Sequence, residues 1–313
     1  MKAFIFPGQG SQAIGMGRDI CEAFRCARDV FQEVDEALGQ NLMKIIFEGP
    51  ESELVLTENT QPALMAVSLA VMRVLEKEGS HDLSPTVSFV AGHSLGQYSA
   101  LCAAGALTLN HTARLLKIRG QAMQEAVPLG KGAMAALLGL ELPLVEKIVR
   151  DAALGQVCEI ANDNSPGQVV ISGHLEAVER GIELSKERGA KRSLLLNVSA
   201  PFHCALMEPA QIRMKEALTE IIVQDPMVPL MDNVSADVTQ NGQDISAFLV
   251  RQVTGRVRWR ESVIKMAEQG VTTTVEIGSG KVLTGLSKRI VPSLEAFALN
   301  TPHDIESYLK RNG

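Results

Sequence analysis

Apolar positions along this chain alternate between short solid runs and stripes at helical spacing. Lys2–Phe6 is a short apolar run stopped by Pro7-Gly8, and it reads as a buried strand. From about Asp19 to Leu38 the apolar residues fall on one stripe, which predicts a long helix. The stretch LTENTQPALMAVSLAVMRVLEKEG reads as a loop and then a helix after Pro62. TVSFVAGHSLGQYSALCAAGAL reads as a strand over Val87–Ala91, a tight turn and a helix. A further helix is expected from about Asn110 to Gln124, with Thr108 or Asn110 as its N-cap.

The pattern changes near Val127-Pro128-Leu129-Gly130, where the elements become short. GAMAALLG is strand-like, ELPLVEKIVRDAA helical, and VCEIANDNSPGQVVISG two strands around a turn. HLEAVERGIELSKERG is again helical and KRSLLLNV strand-like. The order βαββαβ predicts a ferredoxin-like small domain over residues 128–197. It is expected as an insertion in a large α/β-hydrolase-like domain made of residues 1–127 and 198–313. There VPLMDN and TTTVEIG read as strands, and helices are expected at about Gln243–Val253, about Trp259–Gln269 and along GKVLTGLSKRI. Strands alternating with helices imply a mostly parallel sheet with flanking helices.

With 313 residues the chain can bury one large core or carry a smaller domain on it. Its formal net charge of -6 argues against non-specific nucleic-acid binding, which depends on basic surface. Cys21, Cys26, Cys102, Cys158 and Cys204 form no C-x-x-C pair and read as free thiols of a reducing compartment. The apolar stretch before Gly8 is too short for a signal-peptide core, and no uninterrupted apolar run reaches membrane-spanning length. The expectation is a cytoplasmic protein with no membrane association. The Asn-x-Ser/Thr triplets at Asn110, Asn197 and Asn233 then carry no meaning for glycosylation. No coiled-coil heptads or long apolar surface helix stand out, so a monomer is expected.

Gly92-His93-Ser94-Leu95-Gly96 carries the strongest chemical signal. It fits G-x-S-x-G between an apolar strand and a helix, a context that exposes the serine hydroxyl on a sharp turn. The N–H of Leu95, at the helix start, can point at a developing oxyanion. The plain alternative is a Gly-rich turn around a buried serine. A nucleophilic serine needs a base, and there are six histidines. His93 is adjacent and should diverge from Ser94. His81 sits in a polar linker, His174 in the small domain, His111 at a helix start and His303 near the end. His203 lies on a loop after Pro201-Phe202, where the chain returns to the large domain, and is the best candidate. No Asp is clearly placed as a third member.

Two other Gly-rich stretches test against cofactor chemistry. Gly8-Gln9-Gly10-Ser11-Gln12-Ala13 nearly spells a dinucleotide fingerprint, which wants an acidic residue about 20 positions on, closing a second strand. Glu33 and Asp35 fall inside a helical pattern instead. Gly278-Ser279-Gly280-Lys281-Val282 lacks the upstream Gly of a phosphate loop and has Val where Ser/Thr would meet magnesium.

FPGQGSQ, TQPAL at Thr60–Leu64, GHSLG, RG at Arg119-Gly120, GAMAALLG, PFH before Cys204 and VEIGSGKVLTGL together span nearly the whole chain. In them the chain resembles the malonyl-CoA:acyl carrier protein transacylases of bacterial fatty-acid synthesis, relatives of polyketide synthase acyltransferase domains. The resemblance implies that His203 takes the proton from Ser94, which attacks the malonyl thioester. The backbone N–H groups of Gln9 and Leu95 would form the oxyanion hole. The pantetheine thiol of acyl carrier protein would then collect the malonyl group from Ser94, giving ping-pong kinetics. It implies no metal and no cofactor other than the coenzyme A thioester, which is substrate.

By resemblance Arg119 grips the malonyl carboxylate, since a guanidinium holds both carboxylate oxygens, and acetyl-CoA should be a poor substrate. Without the resemblance, Arg119 reads as a solvated charge on a helix with Arg114 and Lys117. The Gln252 backbone carbonyl would orient His203, with the Gln252 side chain nearby. Gln61 and Asn162 would line the pocket, and Phe202 would crowd an α-methyl branch or simply pack in the core. Two basic groups, Lys186/Arg188/Lys191/Arg192 and Arg251/Arg256/Arg258/Arg260, are candidates for docking an acidic carrier protein or are ordinary solvated faces. The competing readings are a serine hydrolase of the α/β-hydrolase type and a non-catalytic acyl-carrier or acyl-CoA binding module.

Overall fold

The computed structural model describes residues 1–79 and 87–312, so His81 lies outside the described residues. Its strands are β1 (Lys2–Phe6), β2 (Phe89–Gly92), β3 (Gly132–Leu138), β4 (Cys158–Ser165) and β5 (Gln168–His174). They continue with β6 (Arg192–Leu195), β7 (Leu230–Met231), β8 (Val238–Thr239), β9 (Thr273–Ile277) and β10 (Glu295–Leu299). Six of them form one sheet in the order β10-β9-β1-β2-β7-β8, parallel apart from β8, which folds back on β7. β1 is apolar throughout its buried length because both faces are covered. Phe4 and Phe6 enter a core shared with Leu64 and Tyr98, while Ala3 and Ile5 enter a second core with Trp259 and Leu286.

The stretch from β3 to β6 builds a second sheet, β4-β5-β3-β6, antiparallel at every pairing. Helices Leu142–Ala153 and Leu175–Glu187 pack on it around a separate core that includes Leu137, Ile148 and Ile171. The two parts are stitched together by a parallel bridge between Asn162 and Val257. Asp163 N–H donates to Val257 O at 2.9 Å, and Val257 N–H donates to Ala161 O at 2.8 Å.

Register sets the stage for the site. β1 and β2 are neighbours with Phe6 opposite Gly92, so the loops that follow them leave the same edge of the sheet side by side. β7 flanks β2, and Asp232-Asn233 follow it at that edge. Ligands of parallel sheets bind outside these carboxyl ends.

Three expectations are corrected. The predicted Asp19–Leu38 helix is two helices, Arg18–Ala23 and Arg25–Leu38, broken at Phe24 in an extended conformation. The Phe24 ring packs against the core there, and that contact overrides helical continuity. Pro62 does not precede its helix but lies inside it, in Thr57–Gly79. As the sixth residue of that helix it removes the i→i−4 bond to Glu58 O, a cost offset by the burial of the surrounding helix, and a side chain fastens the start: Asn59 Nδ2 donates to Glu53 O at 2.9 Å. VPLMDN yields a strand of only two residues. The helix Glu208–Thr219 was missed, although Ala210, Met214 and Leu218 bury one face at a spacing of four.

Candidate active site

Ser94 occupies the turn between β2 and helix Gly96–Ala103. The turn is tight: a Cβ on Gly92 would sit 1.9 Å from the Gly96 carbonyl carbon, so no larger residue fits. Ser94 itself has φ 53°, a left-handed conformation rare for a residue with a Cβ, and such strain is held only where surroundings over-determine it. Here Asn233 is the clamp. Its Oδ1 accepts from Ser94 N–H at 2.8 Å and its Nδ2 donates to Gly92 O at 2.7 Å.

His203 also has a left-handed backbone, with φ 57°. Its Nδ1–H donates to Gln252 O at 2.9 Å and Gly255 O at 3.1 Å. That leaves Nε2 as the acceptor of the Ser94 hydroxyl, 2.7 Å away. Backbone carbonyls therefore stand where an α/β-hydrolase places a carboxylate. Burial, and then the Arg119 charge, pushes the His203 imidazole down to about 3, so it is neutral and able to accept a proton.

Arg119 is 1% exposed, which removes the solvated-charge reading. Gly120 explains how: a Cβ there would lie 2.4 Å from Glu58 Cα, so the helix Leu109–Glu125 presses directly on the start of helix Thr57–Gly79. Arg119 Nη1 donates to Gln61 Oε1 at 2.7 Å, and Nη2 donates to Gln252 Oε1 at 3.0 Å and Ser94 Oγ at 3.1 Å. All three acceptors are neutral, and Nε has no acceptor among the described residues. The guanidinium lies over the Tyr98 ring at 5.6 Å, and burial holds its pKa below the usual arginine range. A buried cation with no carboxylate beside it is costly and suits an anionic ligand.

These groups border a cavity of about 340 Å³. Ser94, His203, Arg119, Gln9, Leu95, Gln61, Asn162 and Phe202 all line it, with Met123, Met134, Leu196 and Val198 supplying apolar wall. Gln252 lies behind this wall and braces it: its Nε2 donates to Ser94 O at 3.0 Å. The Gln9 loop is pinned on two sides. Thr57 Oγ1 donates to Gln9 Oε1 at 2.9 Å, and Ser279 Oγ donates to Ser11 O at 2.6 Å. Gln9 N–H and Leu95 N–H donate to nothing among the described residues.

Other histidines fall away as the sequence suggested. His93 turns from Ser94, and its Nε2–H donates to Asn164 Oδ1 at 2.8 Å. His174 Nδ1 accepts from Val157 N–H inside the second sheet. Sequence reasoning missed Asn233, set aside as a chance glycosylation triplet, together with Gln97, Asp232 and Asn164. Gln97 Nε2 donates to Asp232 Oδ1 at 3.0 Å, and Asn233 N–H donates to Gln97 Oε1 at 3.1 Å. The Asp-Asn pair that closes the predicted strand VPLMDN was the available signal.

The Gly278–Val282 stretch is used internally. Ser279 reaches Ser11, and Gly280 O accepts from Asn300 Nδ2 at 3.1 Å. Among the described residues, no group of three or more His, Cys, Asp or Glu is placed to hold a metal ion, and no helix is long and apolar enough to cross a membrane. The five cysteines are free. Of the basic groups, Arg188 pairs with Asp151 and Lys186 with Glu183. Arg258 pairs with Glu261, Arg260 with the buried Asp163, and Arg256 with Glu146 and Glu261, so most of this charge is held by acids of the chain itself.

One family matches nearly the whole of the chain that carries this site. Residues 3–299 match the acyl transferase domain family, and the chain belongs to it. It is 46% identical over 305 residues to the malonyl CoA-acyl carrier protein transacylase of Bacillus subtilis (strain 168), covering 97% of this chain and 95% of that protein. The crystal structure of the acyl-carrier-protein-S-malonyltransferase from Bartonella henselae superposes with a TM-score of 0.97 at 55% identity, covering 100% of this chain and 99% of that one. A malonyl-transacylase solved in complex with a type II PKS acyl-carrier protein gives a TM-score of 0.96 at 45% identity, covering 99% of each chain.

Proposed function

We propose that this acyl transferase moves a malonyl group from malonyl-CoA to the pantetheine thiol of an acyl carrier protein, through a malonyl ester on Ser94. The carrying observation is the shared oxygen: Ser94 Oγ lies 2.7 Å from His203 Nε2 and 3.1 Å from a buried, uncompensated arginine. His203 Nε2 takes the hydroxyl proton as Oγ attacks the thioester carbonyl, and the carbonyls of Gln252 and Gly255 hold the ring in the required tautomer. The Gln9 and Leu95 N–H groups receive the oxyanion. The tetrahedral intermediate collapses, coenzyme A thiolate leaves, and His203 returns the proton to it. The carrier thiol repeats the sequence on the ester. Arg119 holds the malonyl carboxylate, and Phe202 narrows the space beside the α-carbon.

Strand order β4-β5-β3-β6 and the βαββαβ succession support counting 128–197 as an inserted ferredoxin-like domain within a large unit of 1–127 and 198–313. The names of the relatives support a role in supplying malonyl groups to an acyl carrier protein, and fatty-acid synthesis is the use we infer for them. A cytoplasmic monomer without a resident cofactor completes the reading.

Intact mass spectrometry after mixing with malonyl-CoA alone tests it. The expected result is a malonyl adduct on the wild type, absent from Ser94→Ala, weak from acetyl-CoA, and discharged by acyl carrier protein. An adduct equally strong from acetyl-CoA would remove Arg119 from its role. Release of malonate to water as fast as transfer to the carrier protein would favour a hydrolase.

A further inference from the structure

We propose that Arg119 does more than select the acyl group: its hydrogen bond to Ser94 Oγ masks the nucleophile, and an acyl carboxylate unmasks it by drawing the guanidinium away. The inference rests on the proposed transfer reaction and concerns how that site is switched on.

The serine oxygen has one proton and two lone pairs. The proton is given to His203 Nε2 at 2.7 Å, and one lone pair receives Nη2–H of Arg119 at 3.1 Å. A cationic donor on Oγ withdraws the electron density that must attack a carbonyl, and charge-assisted hydrogen bonds are about twice as strong as neutral ones. The same charge bears on the base. After burial, Arg119 is the largest cause of the low basicity of His203. One cation thus weakens both members of the reacting pair.

The guanidinium can let go. Its other acceptors, Gln61 Oε1 and Gln252 Oε1, are amide oxygens anchored elsewhere, through Thr57 and through Ser94 O. Nε is without an acceptor among the described residues. A carboxylate entering the cavity offers two charged oxygens in place of a hydroxyl, and the guanidinium fork favours that exchange. The freed lone pair and the neutralised charge then raise the nucleophilicity of Ser94 and the basicity of His203 together. An acyl group lacking the carboxylate meets a masked serine, so selectivity enters the chemical step as well as binding.

The test separates the carboxylate from the acyl group. Methanesulfonyl fluoride labels a reactive serine: Oγ bonds to sulfur, the S–F bond breaks, fluoride leaves, and the hydroxyl proton goes to His203. Its rate on the wild type is followed by intact mass with added sodium formate, against sodium chloride at equal ionic strength. The expected result is an acceleration of about tenfold by formate, the effect of one charged hydrogen bond removed, and none by chloride. Arg119→Gln should be labelled at the fast rate with no response to formate. Formate that leaves the wild-type rate unchanged or slows it overturns the proposal, as does an acceleration by chloride equal to that by formate. A folded Arg119→Gln protein labelled more slowly than wild type would show that the arginine activates the serine, which also overturns it. If that variant does not fold, the wild-type comparison decides alone. Sulfonylation needs no thioester and no carrier protein, so this outcome is independent of whether malonyl-Ser94 forms.

Discussion

Glu276 and Arg119 are both buried without an opposite charge in contact among the described residues, and the fold treats them differently. Glu276 in β9 is fully buried, yet its oxygens are fully employed. They accept from Leu283 N–H at 3.1 Å, Thr284 N–H at 2.7 Å and Thr284 Oγ1 at 2.8 Å, at the start of helix Val282–Ile290. A carboxylate there satisfies donors that no helix can satisfy for itself, and it faces the positive end of the helix dipole. Arg119 is equally buried but meets only neutral oxygens, leaves Nε idle and borders a cavity. A buried charge whose bonding closes within the chain is structural, and one whose bonding stays open at a cavity is built for a ligand.

The sharpest way to break that contrast is to neutralise each charge in turn. Arg119→Gln should slow malonyl-Ser94 formation by about a thousandfold, the rate equivalent of the 3–5 kcal/mol that one partner of a buried ion pair carries. Its unfolding free energy in urea should be unchanged or higher, because no carboxylate of the chain loses a partner. Glu276→Gln should do the reverse. Losing acceptors for the helix start should lower stability by about 1–3 kcal/mol, with the preference for malonyl over acetyl unchanged. Quench-flow mass spectrometry and urea titration read the two effects separately. A Glu276→Gln protein of full stability and altered selectivity would erase the distinction.

The same contrast marks what could be read from the sequence. That Ser94 and His203 meet was legible because each sits in a readable short-range context: a strand, a turn, a helix, and a histidine on the returning loop. The second sheet was legible because its alternation is local. Arg119 was not legible as buried, since a helical stretch that also carries Arg114 and Lys117 reads the same whether the helix faces water or another helix. Only the pressing of Gly120 onto Glu58 settles it, and that contact joins positions far apart in sequence. Gln97 was invisible for the same reason, and so was the clamp that Asn233 places on Ser94 from 139 residues away. Phe24 and Pro62 show the limit of local rules, since packing decided both helix boundaries against propensity.

His203 extends the comparison to a group held neutral, and its effect is graded with pH. Burial, and then Arg119, pushes its pKa from 6.5 to about 3. Between those values the unfolded chain takes a proton that the folded chain refuses. Its contribution to stability is therefore complete above pH 6.5 and is lost as pH falls toward 3, by up to about 1.4 kcal/mol for each unit. His93, also depressed by burial, adds a parallel loss of its own. Urea titrations of the wild type from pH 7 to pH 4 should show this acid limb, and His203→Gln should make it shallower. Arg119→Gln should flatten it in part, because removing the cation restores some basicity to the imidazole. Identical limbs in all three proteins would mean that His203 keeps an ordinary pKa and that the arginine charge is not felt at the base.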